Sequence, residues 1–407
     1  MDRELIARLG GWEGYRVGTV DRYEASESCP VAQVWIELLR KPGPWVCSGC
    51  GQTCDRCYDV TDRWVRDLPI WDAETHLCVQ RVRVACRQCG PKVAATPWLE
   101  KYARITRRFA ERVARLCTML PIKHVAEWVR LGWDTVKAID RAHLERTLPA
   151  PDLSGLTVLA MDEFAIRRGH RYATIFVEPD RKQVLWVCRG RSREEIRPFF
   201  ERLGEAGRRR LEAVAMDMNA AYEAEVRAQC PQAEIVYDPF HVVAKYGREV
   251  INPVRTAEAR RQTSRGARQL IKGSRWLLLR NAAGLKRTDR VKLKELLAVN
   301  RKLATVYILK DDLKSLWNYR YPDAALRFWR DWYHRAVRSR IKPLQAFARR
   351  LRDKLDGVIA HCRWPLHTSL LEGMNNRIKV LKRMAYGFRD DTYFFLKIRQ
   401  AFPGNVG

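Results

Sequence analysis

Apolar residues recur with two different periods along the chain, and the change of period marks its organisation. Between Trp12 and Leu38 they fall at every second position (Tyr15, Val17, then Val34, Ile36, Leu38), which predicts short strands with one buried face. Val79, Arg81, Arg83 and Ala85 alternate with Gln80, Val82 and Val84 in the same way. Residues 104–149 change to helical spacing. Phe109, Val113, Leu116 and Cys117 share one face, and Pro121 restarts the chain. Val125, Trp128 and Val129 mark a second helix ending at Gly132; Val136, Ile139 and Leu144 face inward on a third, with Asp134 as its N-cap. A short helix, a glycine-containing turn and a second helix predict a DNA-binding helix-turn-helix, with Thr135, Lys137 and Arg141 directed outward. An ordinary three-helix linker fits the same spacing.

From Leu153 the pattern predicts strands over 156–162, 172–178 and 184–188, the first turning back through Arg167, Arg168 and Gly169 and the next two joined by the turn 179–182. A helix over 194–203, a strand over 211–217, a helix over 220–228 and a strand over 235–238 follow. Three hairpin-linked strands followed by strand, helix and strand is the order of a ribonuclease H-like sheet. Residues 250–355 then show helical spacing throughout (Leu293, Leu296, Leu297; Leu326, Trp329, Tyr333), and a last helix begins near Thr368. The fold class expected is multidomain α/β: a zinc-binding domain (1–98), a helix-turn-helix domain (99–150), and a ribonuclease H-like core (151–250 and 364–407) interrupted by an all-helical insertion (251–363).

Charge changes the picture from architecture to partner. Lys and Arg number 76 against 47 Asp and Glu, a net charge of +29 on a chain that is 46% hydrophobic. Such a protein folds but repels itself unless it meets a polyanion, and nucleic acid is the polyanion favoured. Residues 250–355 alone hold 28 Lys and Arg against 8 Asp and Glu, which suggests a DNA-gripping segment in which Trp276, Trp317, Trp329 and Trp332 serve mainly as core. No stretch reaches the ~18–20 apolar residues of a membrane span, and the amino-terminal segment has no apolar signal-peptide core. A cytoplasmic location is expected, with the 12 cysteines as reduced thiols or metal ligands.

Two motifs point to metal chemistry. Cys47-Ser-Gly-Cys50 and Cys86-Arg-Gln-Cys89 are paired knuckles suited to a tetrahedral zinc, although the 35 residues between them call for an intervening hairpin. Cys54-Asp-Arg-Cys57 is a third pair that leaves the ligand assignment open, and a redox dithiol or plain buried thiols also fit. The strand order would place Asp162 and Asp217 side by side, where two carboxylates can share divalent ions. A strand-ending Asp before a helix is also a common N-cap. Asp238, followed by Pro239, fits that duller role best, and His241 falls one turn further on. The helix near 368–383 carries Glu372 with Asn375 and Asn376 and the basic Lys379, Lys382 and Arg383; Ser369 and Glu372 alternatively form only a capping box.

The ordered set Arg66-Asp-Leu-Pro, Met161-Asp-Glu-Phe, Met216-Asp-Met-Asn-x-x-Tyr222, Asp238-x-Phe-His241 and Ser369-x-x-Glu372-Gly-x-Asn-Asn-x-Ile378-Lys-x-x-Lys382-Arg, together with the flanking cysteine pairs, resembles bacterial insertion-sequence transposases of the ISL3 family. The resemblance spans nearly the whole chain. It implies an acid-triad enzyme in which Asp162, Asp217 and Glu372 bind Mg²⁺ or Mn²⁺, with His241 assisting. It further implies cleavage at terminal inverted repeats and joining of the freed 3′ hydroxyl to target DNA, by a homodimer. DNA contacts would fall to Thr135, Lys137, Arg141, Asn376, Lys379, Lys382 and Arg383, and structural Zn²⁺ to Cys47, Cys50, Cys86 and Cys89. The extra Cys54 and Cys57 pair departs from the family pattern. A catalytically inactive, transposase-derived DNA-binding regulator is the rival.

Overall fold

The computed structural model describes residues 3–27, 29–167, 169, 171–280, 284–366 and 369–404. Arg168 of the expected turn, Thr368 and the Ser369 side chain lie outside the described residues. The chain divides into two compact units, Met1–Thr147 and Leu148–Gly407.

The first unit opens with helix α1 (Arg3–Gly10) and strands β1 (Tyr15–Tyr23), β2 (Gln33–Arg40), β3 (Trp45–Val46), β4 (Thr53–Cys54), β5 (Cys57–Ile70), β6 (Ala73–Cys86) and β7 (Gly90–Val93). The main sheet has the order β1-β2-β6-β5 with β7 on β6, and β3 pairs with β4. The alternation does what its period demands: Val34, Ile36 and Leu38 meet Leu77 and Val79 on one face, closed by Trp12 and Tyr15. β5 and β6 form the long hairpin that fills the interval between the two cysteine pairs.

Helices α2 (Arg107–Leu116), α3 (Ile122–Val129) and α4 (Trp133–Thr147) follow. They bury Phe109, Val113, Val125 and Val136 in a common cluster. Three details differ from the sequence expectation. α3 ends at Arg130, which takes the left-handed conformation (φ 52°, ψ 47°), two residues before Gly132. α4 starts at Trp133, so Asp134 is not its N-cap but a first-turn residue whose charge faces the helix's positive end. Trp128 is 76% exposed, because the α3 face that packs is the one bearing Val125 and Ala126.

Asp67, fully buried, ties β5 to these helices. It accepts from the Trp12 indole (2.8 Å), the Thr106 hydroxyl (2.6 Å) and Arg108 Nε (2.7 Å), while Arg108 Nη1 reaches the carbonyl of Gly10 (2.6 Å).

In the second unit β8 (Val158–Arg167), β9 (Arg171–Glu178) and β10 (Gln183–Arg189) are followed by α5 (Arg193–Arg210), β11 (Ala213–Met216), α6 (Ala220–Gln229), β12 (Glu234–Tyr237) and α7 (Pro239–Tyr246). The sheet order is β10-β9-β8-β11-β12. β9 is antiparallel to both β8 and β10, whereas β11 runs parallel to β8 and β12. α5 passes its expected end at Leu203: Gly204 leaves helical geometry (φ 68°, ψ 173°) and the helix resumes to Arg210. Only a residue without a Cβ adopts that conformation freely, so Gly204 reads as a stop in the sequence but is a kink in the fold.

A run of helices comes next: α8 (Asn252–Arg260), α9 (Arg265–Gly273), α10 (Arg275–Leu279), α11 (Arg287–Val299), α12 (Arg301–Ser315), α13 (Pro322–Arg338), α14 (Lys342–Arg352) and α15 (Leu355–Ile359). Its core is continuous with the face of the sheet that α5 and α6 cover, through Tyr246, Leu303, Trp329, Trp332 and Phe347. Trp317 is partly buried against the same core, but Trp276 is 63% exposed, so the aromatic core reading holds for three of the four tryptophans. Gly357 lets α15 approach β12 so closely that a Cβ there would lie 2.5 Å from the Tyr237 ring. Helices α16 (Ser369–Met384) and α17 (Asp391–Ala401) cover the opposite face, where Leu371, Met374, Ile378 and Phe394 pack on Ala160, Phe164 and Ala215.

Candidate functional site

Strand register brings two carboxylates together. β11 pairs with β8 as Ala213↔Val158, Val214↔Leu159 and Ala215↔Ala160, and the same register carried two residues further sets Asp217 beside Asp162. Side chains alternate along a strand, so both carboxylates share the face of Ala160 and Ala215, the one α16 covers. Asp162 does not end its strand, as the sequence suggested: β8 continues to Arg167 alongside β9, while β11 stops at Met216 and opens the sheet there.

Each member is fixed by local bonds. Asp162 is 7% exposed and accepts from the Glu163 amide at 2.8 Å. Burial pushes its carboxyl up to about 6, with Asp217 and Asp238 adding repulsion and His241 and the Glu163 amide opposing. Asp217 is raised chiefly by burial too. Asp217 is not the cap of α6: it accepts from the Asn219 amide at 3.0 Å, and Asn219 caps the helix through Ala221 (2.9 Å). Tyr222, the last member of that motif, anchors the turn by a 2.6 Å bond to Thr174. Asp238 is the N-cap of α7, accepting from Phe240 at 2.7 Å with Pro239 in the first turn. His241 Nε2 lies 3.6 Å from Asp238 Oδ2 and 4.0 Å from Asp162 Oδ1.

α16 reaches this group through a residue of secondary standing in the sequence. Asn375 donates to Asp162 Oδ2 at 2.6 Å, and Lys382 donates to the Ala165 carbonyl at 2.9 Å, so both are turned toward β8. Glu372, Asn376, Lys379 and Arg383 are exposed, at positions that follow one helical stripe. Among the described residues, Asp162, Asp217 and Glu372 are not gathered within 4.8 Å of one another. Glu163, on the other face of β8, pairs with Arg191 at 2.9 Å, and Arg191 also lies over the Tyr172 ring (4.3 Å). Nothing in the residues around Arg191 sets it apart from other loop arginines, so it could not be singled out beforehand.

In the first unit the Sγ atoms of Cys47, Cys50, Cys86 and Cys89 all lie within 4.8 Å of one another, the one such group among the described residues. Cys50 and Cys86 are 3.6 Å apart, against an edge of about 3.8 Å for a tetrahedron with ~2.3 Å metal–sulfur bonds, so the donor set fits zinc. Cys54 is at the rim of this cluster and Cys57 is exposed, its thiol directed to the Asp59 carbonyl (3.5 Å). In α4, Thr135 is exposed, Lys137 lies over the Trp133 ring (5.7 Å) and Arg141 pairs with Glu145 (2.8 Å).

The pairing of a helix-turn-helix with a carboxylate-bearing sheet in so basic a chain is that of a protein that processes DNA, and the relatives are transposases. A family model described as a transposase matches residues 159–398, and the helix-turn-helix domain of transposase family ISL3 matches residues 94–144. The chain belongs to the ISL3 family of insertion-sequence transposases, as its motifs suggested. It is 50% identical, over the full length of both chains, to the transposase for insertion sequence element IS1001 of Bordetella parapertussis. It is 28% identical to the transposase for insertion sequence element IS1557 of Mycobacterium tuberculosis (strain CDC 1551 / Oshkosh), over 86% of this chain and 84% of that one. No helix among the described residues is long and apolar enough to cross a membrane.

Proposed function

We propose that this transposase cleaves the ends of its insertion sequence and joins them to target DNA at a ribonuclease H-like site formed by Asp162, Asp217 and Glu372. The carrying observation is the β8–β11 register that sets Asp162 beside Asp217, with α16 docked on Asp162 through Asn375. Glu372 is one turn before Asn375, at a Cβ separation of about 5–6 Å by helix geometry. The three carboxylates would hold Mg²⁺ or Mn²⁺. When bound, such ions activate the attacking oxygen and stabilise the leaving oxygen of a phosphodiester. The chain's own part is to bury Asp162 and half-bury Asp217 beside it, to keep His241 between Asp162 and Asp238 where it orients the attacking group, and to hold the strand by Asn376, Lys379, Lys382 and Arg383. Hydrolysis at the element's end frees a 3′ hydroxyl, which attacks target DNA in the same site.

Thr135, Lys137 and Arg141 on α4 would read the terminal inverted repeats, with Zn²⁺ on Cys47, Cys50, Cys86 and Cys89 holding the zinc-binding domain rigid. The basic helical run is read as an insertion that grips flanking or target DNA. Joining two ends in concert calls for at least two copies, a homodimer or a larger synaptic complex. The test incubates the protein with labelled duplex carrying the element's own end and Mg²⁺, Mn²⁺ or EDTA, beside Glu372→Gln. Metal-dependent nicking and joining, lost in the variant while binding survives, is expected; binding without cleavage under every metal would make the protein a regulator.

A further inference from the structure

We propose that Asn375 is an oxygen ligand of the divalent ion held by Asp162 and Asp217, which rests on the reading of that site above. Its amide nitrogen is 2.6 Å from Asp162 Oδ2, and its Oδ1 is buried with no hydrogen-bond partner. No donor holds that oxygen, so on its side nothing fixes the amide in its present orientation beside the buried Asp162 carboxylate. Oxygen and nitrogen of a side-chain amide exchange by a half-turn about the last torsion, with almost no change of shape. That turn would put Asn375 Oδ1 where its nitrogen now sits. In an octahedral shell with ~2.0–2.1 Å bonds, neighbouring oxygens are about 2.9 Å apart, so the 2.6 Å pair already has nearly the spacing of two adjacent ligands. Two oxygens that close repel one another until a cation lies between them. Asn375 therefore presents nitrogen to the bare carboxylate and oxygen to the loaded one, and it supplies a ligand from α16 whether or not Glu372 has closed on the site.

The rival role is a donor that merely steadies Asp162, and the two separate at Asn375→Asp. The aspartate keeps the oxygen and loses the donor. Mn²⁺ binding to the full chain, read by electron paramagnetic resonance of the free ion without DNA, is compared for wild type, Asp162→Asn, Asn375→Ala and Asn375→Asp, each checked by circular dichroism. Expected are loss of the site in Asp162→Asn, weakening by about tenfold or more in Asn375→Ala, and recovery to wild-type affinity or better in Asn375→Asp. Unchanged binding in Asn375→Ala overturns the ligand assignment and leaves the carboxylate site standing. Weaker binding in Asn375→Asp than in Asn375→Ala also overturns it, in favour of the donor. Wild-type binding that ignores Asp162→Asn refutes the carboxylate site itself, and the Asn375 assignment with it.

Discussion

Arg108 donates through Nε to Oδ1 of Asp67 at 2.7 Å, joining the first helix of the helix-turn-helix segment to the edge strand of the cysteine-bearing sheet. The carboxylate has no exposed surface and also receives the Trp12 indole and the Thr106 hydroxyl. Its removal would leave Arg108 Nε, the Thr106 hydroxyl and the Trp12 indole without this acceptor. Asp67→Ala is expected to destabilise the first unit by about 3–5 kcal/mol, seen as a lower urea midpoint of the transition reported by its tryptophans. An unchanged midpoint would show that these bonds merely replace bonds to water.

One zinc per chain is expected by atomic emission, lost on Cys86→Ser and kept on Cys54→Ser or Cys57→Ser. The basis is the compact set of four Sγ atoms, with Cys54 at its rim and Cys57 turned away. Loss of metal in Cys54→Ser but not in Cys89→Ser would reassign the fourth ligand.

Acid unfolding should carry a contribution from Glu225, which has no exposed surface on α6. Burial pushes its carboxyl up, but bonds from Arg197, Gln229 and Arg193 outweigh this and hold it at about 2. The unfolded value is about 4.3, so the folded state binds the proton less readily. The stabilisation is therefore complete above about pH 4.3 and disappears as pH falls through about 2. Glu225→Gln should lower stability at neutral pH by about 1–3 kcal/mol and flatten the acid limb; an acid limb parallel to wild type would exclude the assignment.

Gly357→Ala tests the seam between the helical run and β12. The added methyl would meet the Tyr237 ring at 2.5 Å and the Ile235 carbonyl at 3.1 Å, with Asp238 the next residue along the chain. Overpacking of about 1–3 kcal/mol is expected in thermal unfolding, with DNA cleavage reduced further than stability alone explains. Wild-type melting would mean that α15 sits further from the strand.

The strands were legible because their apolar runs are short, bounded and alternating, and Asp162 and Asp217 could be paired because parity and register follow from the same alternation. What was not legible depends on angles between elements. Periodicity identifies the buried stripe of α16 as Leu371, Met374 and Ile378, yet whether Asn375 or Glu372 meets Asp162 depends on how the helix is rolled on the sheet. Helical spacing groups Trp128 with Val125 and Val129, yet α3 packs through Val125 and Ala126 and leaves the larger Trp128 exposed. Arg130 ends α3 in a conformation that favours glycine, so the residue that stops the helix could not be read from its type.

Asp162 and Asn375 are 213 residues apart. At about 5–20 residues per second, a ribosome needs roughly 10–40 s to pass from one to the other. The contacts that define the first unit, by contrast, all lie within Met1–Thr147, including the cysteine cluster and the three helices of the DNA-reading segment. The amino-terminal unit of a growing chain is therefore expected to fold before strand and helix can meet at Asp162 and Asn375. Under the proposed function, a chain released before Asn375 is made is expected to bind DNA without cutting it.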